Sequence, residues 1–203
     1  MLELDHLAIS AETLEEGRAY AEAALGVRLQ PGGQHPHFGT HNVLLGLEDG
    51  LYLEVIAIDP TAPKPPYPRW FDLDRFAGTP RITNWICRAN NLTAAVASYP
   101  GAGRPVALER GDLRWQMAVP DTGILPYDGM FPPLIEWSGT AHPAQRLTAS
   151  GCRLTRLMIR HPRAADLQSE ISAELADDRI AFEQGPCGFN AEFATPAGPR
   201  VLE

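Results

Sequence analysis

The chain has 203 residues, is 44% apolar and carries a net charge of -8, which is enough sequence for one large domain with a sizeable core. The acidic balance, with no lysine- or arginine-rich run, excludes nucleic acid and anionic membrane as partners and leaves a small molecule, held by locally placed arginines if it is anionic. No apolar stretch approaches the roughly 20 residues of a membrane span, and Met1 leads straight into a patterned acidic segment, so a cytoplasmic location is expected. Cys87, Cys152 and Cys187 are widely spaced, with no C-x-x-C pair. They are expected as buried thiols, not as a disulfide framework or a zinc site.

Leu2 to Ile9 alternates as a strand, placing Leu2, Leu4, His6 and Ala8 on one face and Glu3, Asp5, Leu7 and Ile9 on the other. Ser10, or Thr13 one turn later, caps a helix reaching Leu25, with Gly26 at its end. Residues 31–42 hold Gly, Pro and three histidines and predict a long functional loop. Gly39 and Pro36 deny His37 and His41 the helix that their spacing would need to bind a metal. Val43 to Leu47 and Leu51 to Ile58 are strands around a turn at Glu48-Asp49-Gly50. Residues 61–79 form a Pro-rich linker whose Trp70, Phe71 and Phe76 pack over something.

A second unit over 80–140 repeats this order: a strand from Arg81 to Cys87, a helix from Asn91 to Tyr99, strands at Val106 to Glu109 and Leu113 to Val119, then a strand around Glu136. Arg110-Gly111-Asp112 reads as a hairpin turn. After a break over 139–150, a shorter third unit (150–203) starts with Leu154 to Ile159, continues with a helix from Ala164 to Leu175, and adds strands at Ile180 to Glu183 and Phe189 to Ala194. Its first strand puts Arg156 in the slot held by His6 and Asn84. The element order gives the fold class α+β: two βαβββ units plus the shorter third β-α-β unit, in a single domain over 1–203.

Glu54 lies inside the apolar run Tyr52 to Ile56, and Glu136 inside Pro133 to Trp137. An unpaired ionised carboxylate is too costly to bury, so each needs a cation, a hydrogen-bonding partner or a wet cavity. The intervals from His6 to Glu54 and from Asn84 to Glu136 are nearly equal, so a duplicated unit carries polar groups at equivalent strand positions. His35 and Asn42, in the loop over 31–42, and Trp115 are candidates for touching a ligand. Arg156 can add a guanidinium clamp for a carboxylate.

His6, the run from Gly33-Gln34-His35 through Gly39-Thr40-His41-Asn42, and Asp49-Gly50-Leu51-Tyr52-Leu53-Glu54 resemble the glyoxalase-like domains of the vicinal oxygen chelate superfamily. Leu113-Arg114-Trp115, Pro133 to Trp137 and Thr195-Pro196-Ala197-Gly198 are similar to that group's later motifs. The resemblance implies paired βαβββ modules with sheets curved around a central cavity, and a metal site there at His6, Glu54, Asn84 and Glu136 for Mn, Mg, Ni or Zn, with Asn84 standing where many of the superfamily's enzymes have His, Gln or Glu. It implies lyase or isomerase chemistry in which the metal polarises two adjacent substrate oxygens while Glu54 or Glu136 moves a proton. Its alternative is a metal-free binding or sequestering protein of the bleomycin-resistance type. Convergence of His6, Glu54 and Glu136 supports the enzyme, and their separation supports the binder. A third reading, a relic acting in protein association, requires a cavity filled by Trp85, Trp115 and Trp137. A chain with both modules closes its own cavity as a monomer or as a homodimer.

Overall fold

In a computed structural model describing residues 1–203, strand β1 (Leu2–Ser10) leads into helix α1 (Leu14–Leu25). Thr13 is the cap: its hydroxyl accepts the Glu16 N–H at 3.2 Å, while Gly26 ends the helix at φ 71°, the left-handed region that glycine enters without a Cβ penalty. Ser10 stays in the strand, its hydroxyl 2.6 Å from that of Thr83. Strands β2 (Gln30–His35), β3 (Thr40–Gly46) and β4 (Tyr52–Ile58) complete the first module. Residues 31–42 are therefore a hairpin and not one long loop. β2 is an edge strand with an irregular register between Pro31 and Gln34, the setting in which proline and glycine are tolerated in a sheet.

The second module consists of β5 (Arg81–Ala89), α2 (Leu92–Ser98), β6 (Arg104–Arg110), β7 (Leu113–Val119) and β8 (Leu134–Trp137). Antiparallel pairing of β1 with β5 joins the modules into one eight-stranded sheet, ordered β2-β3-β4-β1-β5-β8-β7-β6. The sheet curls until its edge strands β2 and β6 touch. Side chains alternate between its faces: Leu53 and Val55 of β4 join the large outer core, whereas Ile56 joins the inner one.

The third unit folds as β9 (Arg153–His161), α3 (Ala164–Ile171), β10 (Ile180–Gln184), β11 (Gly188–Thr195) and β12 (Gly198–Leu202), one strand more than the sequence pattern suggests. It forms its own sheet, β10-β9-β11-β12. Leu154, Leu157, Phe189 and Phe193 of that sheet share the outer core with Leu7, Ile9, Trp85 and Cys87. It covers the convex side of the β1–β5 seam, between α1 on β3 and β4 and α2 on β6 to β8. Arg156 is thereby corrected: it is exposed on this separate sheet and cannot reach the concave side.

The linker supplies the concave side's filling. Trp70 and Phe71 join Phe38, Leu73, Ile86, Met117 and Ile135 in the inner core, with Trp70 stacked on Phe38 at 4.5 Å and on Phe71 at 5.0 Å. Phe71 and the following Asp72 sit at φ 58° and 54°, a left-handed conformation costing roughly 1–2 kcal/mol per non-glycine residue. Burying an aromatic ring stabilises by about 1.5–3 kcal/mol, so packing the plug offsets its strain.

Candidate functional site

The site begins with an irregularity in β1. Its register with β5 shifts between Leu4 and His6, so Asp5 and His6 are both buried and joined, His6 Nδ1 lying 2.6 Å from Asp5 Oδ1. Strict alternation would have placed them on opposite faces; a bulge bends the strand and re-aims its side chains. The other Asp5 oxygen accepts the Trp137 indole N–H at 3.1 Å and pairs with His142 Nε2 at 3.0 Å. His142 Nδ1 accepts the Ala144 N–H, so its proton lies on Nε2 and is donated to Asp5. Burial raises the Asp5 pKa, but the bonds from His142 and His6 outweigh it and hold the carboxyl well below the usual range.

His6 stacks on Tyr52 at 4.2 Å, and its Nε2 faces Glu54 Oε2 at 3.6 Å, an electrostatic contact longer than a hydrogen bond. Burial disfavours the imidazolium, yet Asp5 and Glu54 prevail and raise its pKa. Glu54 Oε1 accepts the Asn42 amide at 2.5 Å. Against the opposing effect of burial, His6, His35 and Asn42 hold Glu54 at about 2. Asn42 Oδ1 accepts from the Gly33 N–H at 2.8 Å and from Arg110 at 3.1 Å, which fixes the amide's orientation. His35 Nε2 faces Arg110 and Asn42, and its Nδ1 bonds the Thr40 hydroxyl at 3.1 Å. Burial, reinforced by Arg110 and only partly countered by Glu54, lowers His35 to about 4, so it is neutral.

Arg110 comes from the second module and spans the meeting edges of the sheet. Two glycines admit these side chains: a Cβ on Gly32 would lie 2.1 Å from Asn42 Oδ1, and one on Gly33 would lie 2.5 Å from Arg110 Cδ. Trp70, Trp115, Trp137 and Met117 wall a cavity of about 20 Å³, room for about one water molecule. The Trp70 indole N–H is buried with no partner.

The structure thus brings His6, Glu54, His35, Asn42 and Trp115 together. Glu136 lies apart. His6 pairs with Ile86 and Ala8 with Asn84 across the β1–β5 seam, so Ala8, the partner of Glu54, corresponds to Ile86. Cys87 pairs with Leu134, which puts the counterpart of Glu54 at Pro133. Glu136 is an odd number of positions further on, hence on the opposite face. There its carboxylate accepts the Leu92 N–H at 2.6 Å, at the start of α2. Asn84 also departs from expectation: the Phe71 plug stands between, and Asn84 lines a different cleft. Trp85 belongs to the outer core, bonded to the Met130 carbonyl.

The four-ligand metal set therefore does not fit. Of the four, only His6 and Glu54 face one another, two ligands where a protein metal site supplies three or four. A cluster of Asp128, His161 and Cys187 elsewhere has metal-binding residue types, but His161 Nδ1 accepts the Arg163 N–H and its Nε2 therefore donates to Asp128 at 3.2 Å. That tautomer is not the ligating one. Cys187, expected to be buried, is exposed.

Sequence reasoning missed Asp5, Arg110 and His142. Arg110 read as part of a turn and His142 lay in an apparent break, so neither carried a signal. Tyr52 was readable, because it is two residues from Glu54 and shares its face.

A family model described as a glyoxalase-like domain matches residues 4–175. The chain belongs to that family, within the vicinal oxygen chelate superfamily. Comparison with curated protein sequences gives no match. Among solved structures, a hypothetical protein from Staphylococcus aureus superposes with a TM-score of 0.63 at 14% identity, covering 92% of this chain and 88% of its own. Methylmalonyl-CoA epimerase from Mycobacterium tuberculosis gives 0.44 at 20% identity, with coverage of 68% and 88%. A hypothetical protein from Bacillus halodurans gives 0.46 at 13% identity, with coverage of 70% and 96%. At these identities the likeness is one of fold.

Proposed function

We propose that this chain binds a small oxygenated metabolite in the cavity without a metal centre, through a converging set of donors. The observation that supports this most is the separation of Glu136 from His6 and Glu54, which leaves too few ligands for a metal. Hydrogen-bond donors take their place. Arg110, the unpartnered Trp70 N–H and the His6 imidazole suit carbonyl, carboxylate or enolate oxygens, and the tryptophan rings suit a flat ligand body. Glu54 anchors His6 and Asn42. A carboxylate held near 2 is a weak base at neutral pH. Entry of anything larger than water requires the Trp70–Phe71 plug to shift.

The test is calorimetric titration of a panel of small 2-oxo and 2-hydroxy carboxylates, with and without chelator. Saturable binding that survives chelation and falls at least tenfold in Arg110→Gln is the expected result. Binding that appears only with an added divalent ion, and is lost in Glu54→Gln, would sink the proposal. A second reading, acid catalysis by His6, is favoured by the 3.6 Å gap between Nε2 and Glu54. It is distinguished by deuterium exchange at the ligand's α carbon, which a pure binder does not promote.

A further inference from the structure

A second cleft opens on the far side of Phe71, with a volume of about 950 Å³, within the range of small-ligand sites. It lies where the start of β5 and the linker plug meet the loop before β8 and the third unit. Phe71, Phe76, Met130 and Phe189 supply apolar wall. Asn84 lines it deeply: the residue is 3% exposed, and its Oδ1 is buried with no hydrogen-bond partner. Such a group costs stability wherever water cannot satisfy it, and native proteins keep few of them.

The cleft's charges are mostly spent. Arg75 is held by both oxygens of Asp72, and Asp128 accepts the His161 Nε2–H. Arg81 uses one nitrogen on the carbonyls of Ala77 and Thr79 while its guanidinium covers the Phe76 ring at 4.4 Å. Glu203 Oε1 meets the Asn190 amide at 3.5 Å. Arg160 is different, since it is half-buried and makes no side-chain hydrogen bond or ion pair. A free guanidinium and an unpartnered buried amide therefore share one cleft with aromatic walls.

We infer that this cleft is a second binding site, for a small amphipathic oxyanion whose charged group pairs with Arg160 and whose apolar body lies on the phenylalanines beside Asn84. Arginine holds carboxylate and phosphate in a two-pronged grip, and Asn84 can either donate to or accept from the ligand's body. Phe71 is common to this cleft and the His6 cavity, so the two sites share a wall but no polar group.

The experiment is NMR titration of the isotopically labelled full chain with phenylacetate, phenyl phosphate and the uncharged phenylacetamide. Expected are saturable shifts at the Asn84 side-chain amide with one or both anions, at least tenfold weaker binding of phenylacetamide, and at least tenfold loss of anion affinity in Arg160→Gln. Asn84→Leu should melt higher than wild type, because it removes an unpartnered polar group, and should bind the anion less tightly. Glu54→Gln should leave these shifts unchanged, which separates this site from the metabolite cavity. Shifts confined to the His6 cavity, or unchanged affinity in a folded Arg160→Gln, would overturn the inference, as would the absence of any saturable shift at Asn84 at millimolar anion.

Discussion

Asp5 decides how His6 behaves, because it is the buried carboxylate that His6 touches most closely. Replacing it in Asp5→Asn leaves His6 facing Glu54 alone, so the His6 pKa should fall and the protein should lose about 3 kcal/mol of stability, the scale seen when one member of a buried charge cluster is removed. NMR titration of His6 and denaturant unfolding measure both effects. The titration directions also predict the pH profile. Between 4.5 and about 2 the unfolded chain holds a proton on Glu54 that the native state does not, so this contribution is lost as pH falls through that window. His35, at about 4 against 6.5, weakens the fold in the same direction as pH falls from 6.5 to 4. His6 acts oppositely. Its pKa is raised above 6.5, so its contribution is full below 6.5 and disappears as pH rises through the folded value. Tm should therefore peak near neutrality, and His6→Gln should flatten the alkaline flank while also shrinking the Glu54 contribution on the acid flank, since His6 helps to hold that carboxylate low. An unchanged alkaline flank in that variant would show that His6 is not the group responsible.

Among the elements, the two glutamates that look alike in sequence should separate experimentally. Glu136→Gln removes a charged acceptor at the start of α2 and should cost about 1 kcal/mol with ligand affinity unchanged. Glu54→Gln should lower affinity severalfold, since Asn42 and His6 are both organised on that carboxylate. Thermal melts and calorimetry on the same pair of variants suffice. The β2 edge makes a comparable prediction: Gly32→Ala drives a methyl into Asn42 and should weaken ligand binding, with loss of the Asn42–Glu54 contact visible as a shift of the Asn42 side-chain amide. Phe71→Ala tests the plug. It should cost about 3–5 kcal/mol and speed ligand association, because it enlarges the passage to the cavity; a slower association rate would show that the plug does not gate entry.

At the scale of the whole molecule, the third unit holds the curved sheet from behind. Leu157 and Phe193 are fully buried against the outer core that Leu7, Ile9 and Trp85 also share. Leu157→Asp should therefore unfold the entire chain and not the C-terminal sheet alone, since burying an unpaired carboxylate there leaves β1 and β5 without cover. Far-ultraviolet circular dichroism together with tryptophan fluorescence distinguishes these outcomes: a single shared transition is expected, and a surviving folded fraction reported by Trp115 and Trp137 would contradict it. No helix is long and apolar enough to cross a membrane.

The amino-acid sequence by itself determined the modules. Period-two alternation, Thr13, Gly26 and the repeated strand-helix-strand order are local signals, and they carry the paired βαβββ architecture and the shared face of Tyr52 and Glu54. It also marked His6, His35 and Asn42 as site residues, although His35 and Asn42 were read in a loop and stand instead on the hairpin strands β2 and β3. Tertiary structure alone decided which charges meet. A bulge put Asp5 beside His6, a register offset in β8 sent Glu136 to the convex side, and curling of the sheet brought Arg110 across to Asn42. The third sheet's seat on the convex side removed Arg156 from the site, and the plug's left-handed turn left Asn84 in another cleft. Each of these depends on how strands pair over long separations. A one-residue change in that pairing reverses the side-chain face while leaving the local pattern untouched.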